Sequence, residues 1–114
     1  MEYSEESVRA IIGLILVSGL GNIRIKNLLR EFGSPENVVN SDPETLKQSL
    51  GDKLAEQVIG CDKNPQLDKL LEQIKKLGVK ISIYGQNNYP ERLNNIYSPP
   101  PLLFYYGSIK MQDE

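Results

Sequence analysis

Val17-Ser18-Gly19-Leu20-Gly21-Asn22-Ile23-Arg24-Ile25-Lys26-Asn27-Leu28-Leu29-Arg30-Glu31-Phe32-Gly33 is the stretch around which the chain is organised. An apolar run precedes it, a Gly-x-Gly turn opens it and an amphipathic segment closes it. Two glycines two residues apart fit a tight turn whose backbone takes positive φ or comes close to a partner. Asn22 stands where an N-cap residue would. Ile25, Leu28, Leu29 and Phe32 follow at helical spacing, and Gly33 suits the C-terminal cap. The pattern predicts helix, short glycine hairpin, helix.

Upstream, Ser4 is placed to cap a first helix, with Glu5 and Glu6 favourable to its dipole. Val8, Ile11, Ile12, Ile15 and Leu16 form a wide apolar stripe that Leu14 and Val17 broaden, so this helix is expected to be largely buried. Downstream, Ser34-Pro35-Glu36 restarts a helix with serine at the N-cap and proline at the first helical position. Ser41-Asp42-Pro43-Glu44 repeats the device, with Glu44 completing a capping box. Leu46 and Leu50 face inward and Gly51 ends that helix. Residues 52–60 give a fifth, through Leu54, Val58 and Ile59. Five short helices with tight connections predict an all-α unit over residues 1–62.

The polar break Cys61-Asp62-Lys63-Asn64-Pro65 marks the boundary. Residues 63–114 change grammar. Leu67, Leu70, Leu71, Ile74 and Leu77 predict a helix ended by Gly78. Val79 to Gly85 alternates as a strand. Tyr89-Pro90-Glu91-Arg92-Leu93 begins a short helix with Pro90 near N1. Ser98-Pro99-Pro100-Pro101 is extended, since each proline pushes its predecessor out of the α region. Leu102 to Gly107 is a second strand, apolar on both faces and therefore expected to be covered. By content the chain is α+β. Two strands make a marginal sheet, so the second part reads as the beginning of a larger unit and the chain as an N-terminal piece.

Composition narrows the function. The 114 residues carry 39% apolar and 25% charged side chains, as globular proteins do, with a net charge of −2. No global electrostatic case for nucleic acid follows from that charge. Locally, Arg24, Lys26 and Arg30 against Glu31 leave residues 18–33 at +2. Lys47, Lys53 and Lys63 against Glu36, Asp42, Glu44, Asp52, Glu56 and Asp62 leave residues 34–65 at −3. There is no histidine, which removes imidazole general-base chemistry, and Cys61 stands alone, which removes a disulfide framework. The carboxylates form no motif with a base or metal ligands, so the chain does not read as an enzyme, and no cofactor or metal is expected. The apolar run Ala10 to Leu20 is too short to span a bilayer and follows acidic residues, so a cytoplasmic protein is expected.

Two stretches carry a resemblance. The Gly19-Leu20-Gly21 turn between helices resembles the helix-hairpin-helix motif of DNA-binding proteins, in which hairpin amides and the following helix N-terminus receive a backbone phosphate. Tyr89 to Gly107, with Tyr89, Pro90, Leu93, Ile96, Pro99, Pro100, Leu103 and Gly107 as its fixed points, resembles a run of the bacterial DNA-processing family DprA, also called Smf. Together with Leu28-Leu29-Arg30-Glu31-Phe32-Gly33-Ser34-Pro35-Glu36 the resemblance covers nearly the whole chain. It implies a SAM-like helical bundle followed by the start of a Rossmann-like α/β domain. It also implies a non-enzymatic parent that binds single-stranded DNA and loads the RecA recombinase in natural transformation, competence and recombination, without a cofactor. The family's phosphate-binding motif, basic pocket and surfaces for dimerisation and RecA lie beyond Gly107 and are not carried over. The residues assigned to a hairpin DNA contact are Gly19, Gly21, Asn22, Arg24, Lys26 and Arg30. A second reading keeps the glycines structural and makes the helical unit a protein-interaction or regulatory scaffold. Phe32 and the tyrosines 84, 89, 97, 105 and 106 read as packing residues rather than base-stacking platforms, and Tyr3 is the other aromatic of the helical part.

Overall fold

The computed structural model describes residues 4–86 and 89–105. Tyr3, Asn87, Asn88, Tyr106, Gly107 and the tail ending in Asp113 and Glu114 lie outside the described residues. Six α-helices lead into two short strands: α1 (Glu5–Leu16), α2 (Gly21–Phe32), α3 (Pro35–Val39), α4 (Pro43–Leu50), α5 (Asp52–Val58), α6 (Gln66–Leu77), β1 (Lys80–Ile83) and β2 (Leu102–Tyr105). A 3-10 turn at Cys61–Lys63 links α5 to α6, and another at Glu91–Asn95 precedes the proline run. The α+β content expected from the sequence is present.

Local chemistry sets most helix starts. The Ser4 hydroxyl accepts from the Ser7 amide at 3.1 Å, and the Ser34 hydroxyl accepts from the Asn37 amide at 3.2 Å. Pro35 and Pro43 open α3 and α4. The expected capping box at Ser41 does not form. Asp42 is the N-cap without a side-chain bond, because Pro43 holds it extended (ψ 132), and the Ser41 hydroxyl donates to the Asn37 carbonyl at 2.5 Å.

α1 is the central element. Val8, Ala10, Ile11 and Leu14 are fully buried on it. Its Ser7 hydroxyl donates to the Glu36 carboxylate of α3. Its Gly13 meets the turn after α5 so closely that an added Cβ would stand 2.7 Å from the Cys61 carbonyl oxygen. The absence of a side chain at Gly13 is what lets helix and turn backbones touch. One hydrophobic cluster runs on both sides of residue 62: Leu67, Leu71 and Ile74 of α6 and Ile81 and Ile83 of β1 share it with Val8, Leu28 and Val38. Arg9 adds polar ties, with Nε donating to the Asp62 carbonyl at 3.0 Å and Nη1 pairing with Asp68 at 2.5 Å.

The two strands pair antiparallel, Lys80 with Tyr105 and Ile83 with Leu102 at the ends of the register. Burial reverses the sequence expectation. β1 was expected to alternate, yet Ile81, Ser82 and Ile83 are all buried. β2 was expected to be covered on both faces, yet Phe104 is 55% exposed and its neighbours are half-buried. The difference is one of position: Ile81 and Ile83 enter the hydrophobic cluster that the helices share, Leu102 and Leu103 only pack against it, and among the described residues β1 is the strand beside β2. Ile12, Ile15, Leu70, Leu77 and Phe104 line an apolar groove of about 390 Å³ between α1, α6 and β2. Tyr84 and Tyr89 pack edge-to-face at 5.5 Å, and the Tyr89 hydroxyl donates to the Pro100 carbonyl at 2.7 Å, which fixes the proline run as expected.

Candidate nucleic-acid interface

The hairpin between α1 and α2 is a tight turn over Val17–Leu20, closed by the Leu20 amide donating to the Val17 carbonyl at 3.4 Å. Gly19, its third residue, has φ +87, the conformation a type II turn requires there. Gly21 follows with φ +76 and is itself the first residue of α2. This displaces the expected cap. Leu20, in the right-handed region (φ −75, ψ −56), holds the N-cap position, and Asn22 is second in the helix rather than its cap.

The α2 N-terminus is therefore unlike those of α1 and α3. It has no side-chain cap and no acidic residue in its first turn. The Gly21, Asn22 and Ile23 amides have no backbone acceptor among the described residues. A right-handed residue followed by a left-handed one turns successive N–H groups toward one point, which makes an anion-receptive concavity, and the helix dipole adds to it. Ser18, Gly19, Gly21 and Asn22 are all exposed.

The three cations do not share one face. At 3.6 residues per turn, Lys26 and Arg30 lie about 40° apart around α2, while Arg24 lies about 120–160° from both. Arg24 is exposed and folds back to the hairpin, its Nη1 donating to the Gly19 carbonyl at 3.3 Å. It is the cation beside the open amides. Lys26 turns the other way. Its Nζ donates to the Tyr97 carbonyl at 2.9 Å and sits 5.5 Å from the centre of the Tyr97 ring. Arg30 is in the last turn of α2, where a cation complements the helix dipole. The structure thus brings Gly19, Gly21, Asn22 and Arg24 together and sends Lys26 and Arg30 elsewhere. The clasp of Lys26 by Tyr97, 71 residues away, has no signal in the sequence.

The remaining chemistry is quiet. Burial pushes the Cys61 thiol up to about 12, and the neighbouring Asp62 carboxylate adds to the rise, so the sulfur stays protonated at neutral pH. Burial likewise pushes Tyr89 up to about 12, with Tyr84 contributing. Phe32 packs against the core, as expected. Among the described residues no three potential metal ligands cluster, and no helix is long and apolar enough to cross a membrane.

Over 95 residues, 82% of this chain and 24% of the relative, the chain is 30% identical to Protein Smf of Synechocystis sp.. Over 60 residues, 51% of this chain and 9% of the relative, it is 35% identical to a DNA ligase of Macrococcus caseolyticus. The chain spans about a quarter of the first relative and about a tenth of the second. No family model matches it, and no solved structure does. The similarity to Protein Smf supports a relationship to the DprA/Smf family.

Proposed function

We propose that this chain is the N-terminal part of a cytoplasmic, non-enzymatic DNA-processing protein of the DprA/Smf kind, and that its glycine hairpin is an accessory contact for a nucleic-acid phosphate. In this reading residues 1–62 are a SAM-like helix-hairpin-helix unit and residues 63–114 begin a Rossmann-like domain. The parent binds single-stranded DNA, dimerises and delivers the strand to RecA. The observation that carries the hairpin assignment is the α2 N-terminus: open amides at Gly21, Asn22 and Ile23, no cap, no acid, and the Arg24 guanidinium beside them. Phosphate is the anion such a cradle suits. Contacts of this type carry no base readout, so they grip any sequence.

Magnitude follows from the cation count. With one or two phosphates neutralised, a tenfold rise in salt lowers affinity for a single strand about 5- to 25-fold. Fluorescence anisotropy of the chain with labelled single and double strands, at low and near-physiological salt, tests this. Arg24→Glu is expected to abolish binding while circular dichroism shows an intact fold, and Gly21→Glu, which also strains the positive φ at that position, is expected to do the same with a lowered melting temperature. Binding untouched by both variants, or none at low salt, overturns the assignment.

A scaffold role without DNA contact is the second reading. The engagement of Lys26 by Tyr97, the scatter of the cations and the acidity of residues 34–65 favour it. It expects no binding at low salt.

A further inference from the structure

Beside the hairpin lies a second feature that the phosphate reading does not use. The end of α1 and the hairpin on one side, and the end of α5 with the turn after it on the other, enclose an open groove of about 370 Å³. Leu16, Val17 and Ser18 line the first side; Gln57, Ile59 and Asn64 line the second. The hairpin rests on α5, since a Cβ at Gly19 would lie 4.0 Å from Leu54 Cδ2. Val17 and Ser18 of the groove wall also belong to the hairpin turn, and Ser18 stands three residues along the chain from the first open amide at Gly21.

Its lining has a definite chemistry. Leu16 and Ile59 are 47% and 40% exposed and give the groove its aliphatic surface. Gln57 offers an amide with donor and acceptor. Asn64 uses its Oδ1 to accept from the Gln66 amide at 3.0 Å, which leaves its NH₂ as donor. None of the residues lining the groove carries a charge, although the surrounding region is acidic. Aliphatic walls with amide groups at the edge suit a flat, uncharged ring with polar atoms on its rim. The volume is within the range of small-ligand pockets.

We propose that this groove is a subsite for one unstacked nucleobase, whose neighbouring phosphate sits on the Gly21–Ile23 amides; the inference rests on the phosphate reading of the hairpin. Leu16 and Ile59 contact the base face, and Gln57 and Asn64 address its edge. In a duplex that edge is paired and the faces are stacked, so the subsite admits single strands and excludes intact double helix. The phosphate cradle alone makes no such distinction.

Two strands of equal length separate the two readings: an oligothymidylate and an abasic strand, which has the phosphates without bases. At low salt the oligothymidylate is expected to bind about fivefold more tightly, the order of one small apolar contact taken out of water. Leu16→Ser/Ile59→Ser, and independently Gln57→Ala, are expected to shrink that ratio toward one with little change for the abasic strand. Gly21→Glu is expected to weaken both strands. Equal binding of both strands, lost in Gly21→Glu, overturns the base subsite and leaves the phosphate cradle standing. A base preference that survives the groove variants overturns it too. Failure of every strand to bind takes down both readings. The substituted side chains are on the surface, and circular dichroism checks that each variant folds.

Discussion

Replacing Gly13 by alanine sets two opposing effects of known sign against each other. In an ordinary helix interior, alanine is better than glycine by roughly 0.5–1 kcal/mol, because glycine loses more backbone freedom on folding. Here the new Cβ would stand 2.7 Å from the Cys61 carbonyl oxygen, 2.9 Å from its carbon and 3.1 Å from the Asp62 nitrogen. All three are backbone atoms of a 3-10 turn, so no side-chain rotation relieves the clash. Overpacking of this type costs about 1–3 kcal/mol. The balance is a destabilisation of at most about 2.5 kcal/mol and centred at about 1 kcal/mol, a drop in Tm of roughly 5 °C for a chain of this size. Thermal and urea unfolding followed by far-UV circular dichroism measure it. Because the clash pushes on the residue that carries the thiol, Cys61 should also react faster with a disulfide reagent in the variant. An alanine variant that melts higher than the parent, as propensity alone demands, would refute the close-approach argument.

Other expectations are as direct. In the native, unsubstituted chain the Cys61 thiol should react at least tenfold more slowly at pH 8 than in the urea-unfolded chain, since burial holds it protonated; equal rates would count against its burial. Both Cys61 and Tyr89 have folded pKa values near 12, above the ordinary 9.0 and 10.0, so the unfolded chain releases these protons first. The stability they confer is complete below about pH 9 and is lost as pH rises toward 12. Tyr89→Phe removes the hydroxyl bonded to the Pro100 carbonyl, should cost about 1 kcal/mol near neutral pH, and should flatten the alkaline fall in urea titrations between pH 9 and 11. Ser34→Ala removes the α3 cap and should cost about 1 kcal/mol by the same assay. A chain ending at residue 62 loses Leu67, Leu71 and Ile74 from the shared cluster; it should give a broad, low-amplitude melt, and a sharp one would show that the helical part folds alone.

What the sequence made legible was what short-range chemistry determines. Ser4 and Ser34 cap their helices because a hydroxyl reaches an amide three residues on, and the hairpin glycines turn the chain because little else adopts their φ. The cap lies two residues before Asn22, at Leu20, and the helix begins at Gly21 despite its positive φ, earlier than side-chain preferences indicate. The burial of the strands could not be read locally. Val79 to Gly85 alternates Lys80 and Ser82 with aliphatic residues and Leu102 to Tyr105 is apolar throughout, yet Ile81 and Ile83 enter the shared cluster and Phe104 does not. The basic face failed for a geometric reason, since residues 24 and 26 point almost oppositely on any helix. The Lys26 clasp and the groove join residues far apart in the chain, which periodicity does not address. Gly13 lies inside an apolar stripe where nothing local marks the carbonyl it must accommodate.

The bond from Tyr89 to the Pro100 carbonyl also has a consequence in time. Ile83 and Leu102 are partners across an excursion of the backbone that the sheet must close. The Tyr89–Pro100 contact closes a shorter loop of 11 residues nested inside it. Loop closure costs less entropy when the ends are already near, so the inner stitch prepares the outer seam. The order of assembly at this end of the chain would run from the tyrosine stitch to the strands. Tyr89→Phe should then slow refolding about as much as it destabilises the protein, a φ-value near one, whereas a substitution at Phe104 should act on unfolding. The tyrosine would be a basting thread, placed before the seam and left in the finished cloth.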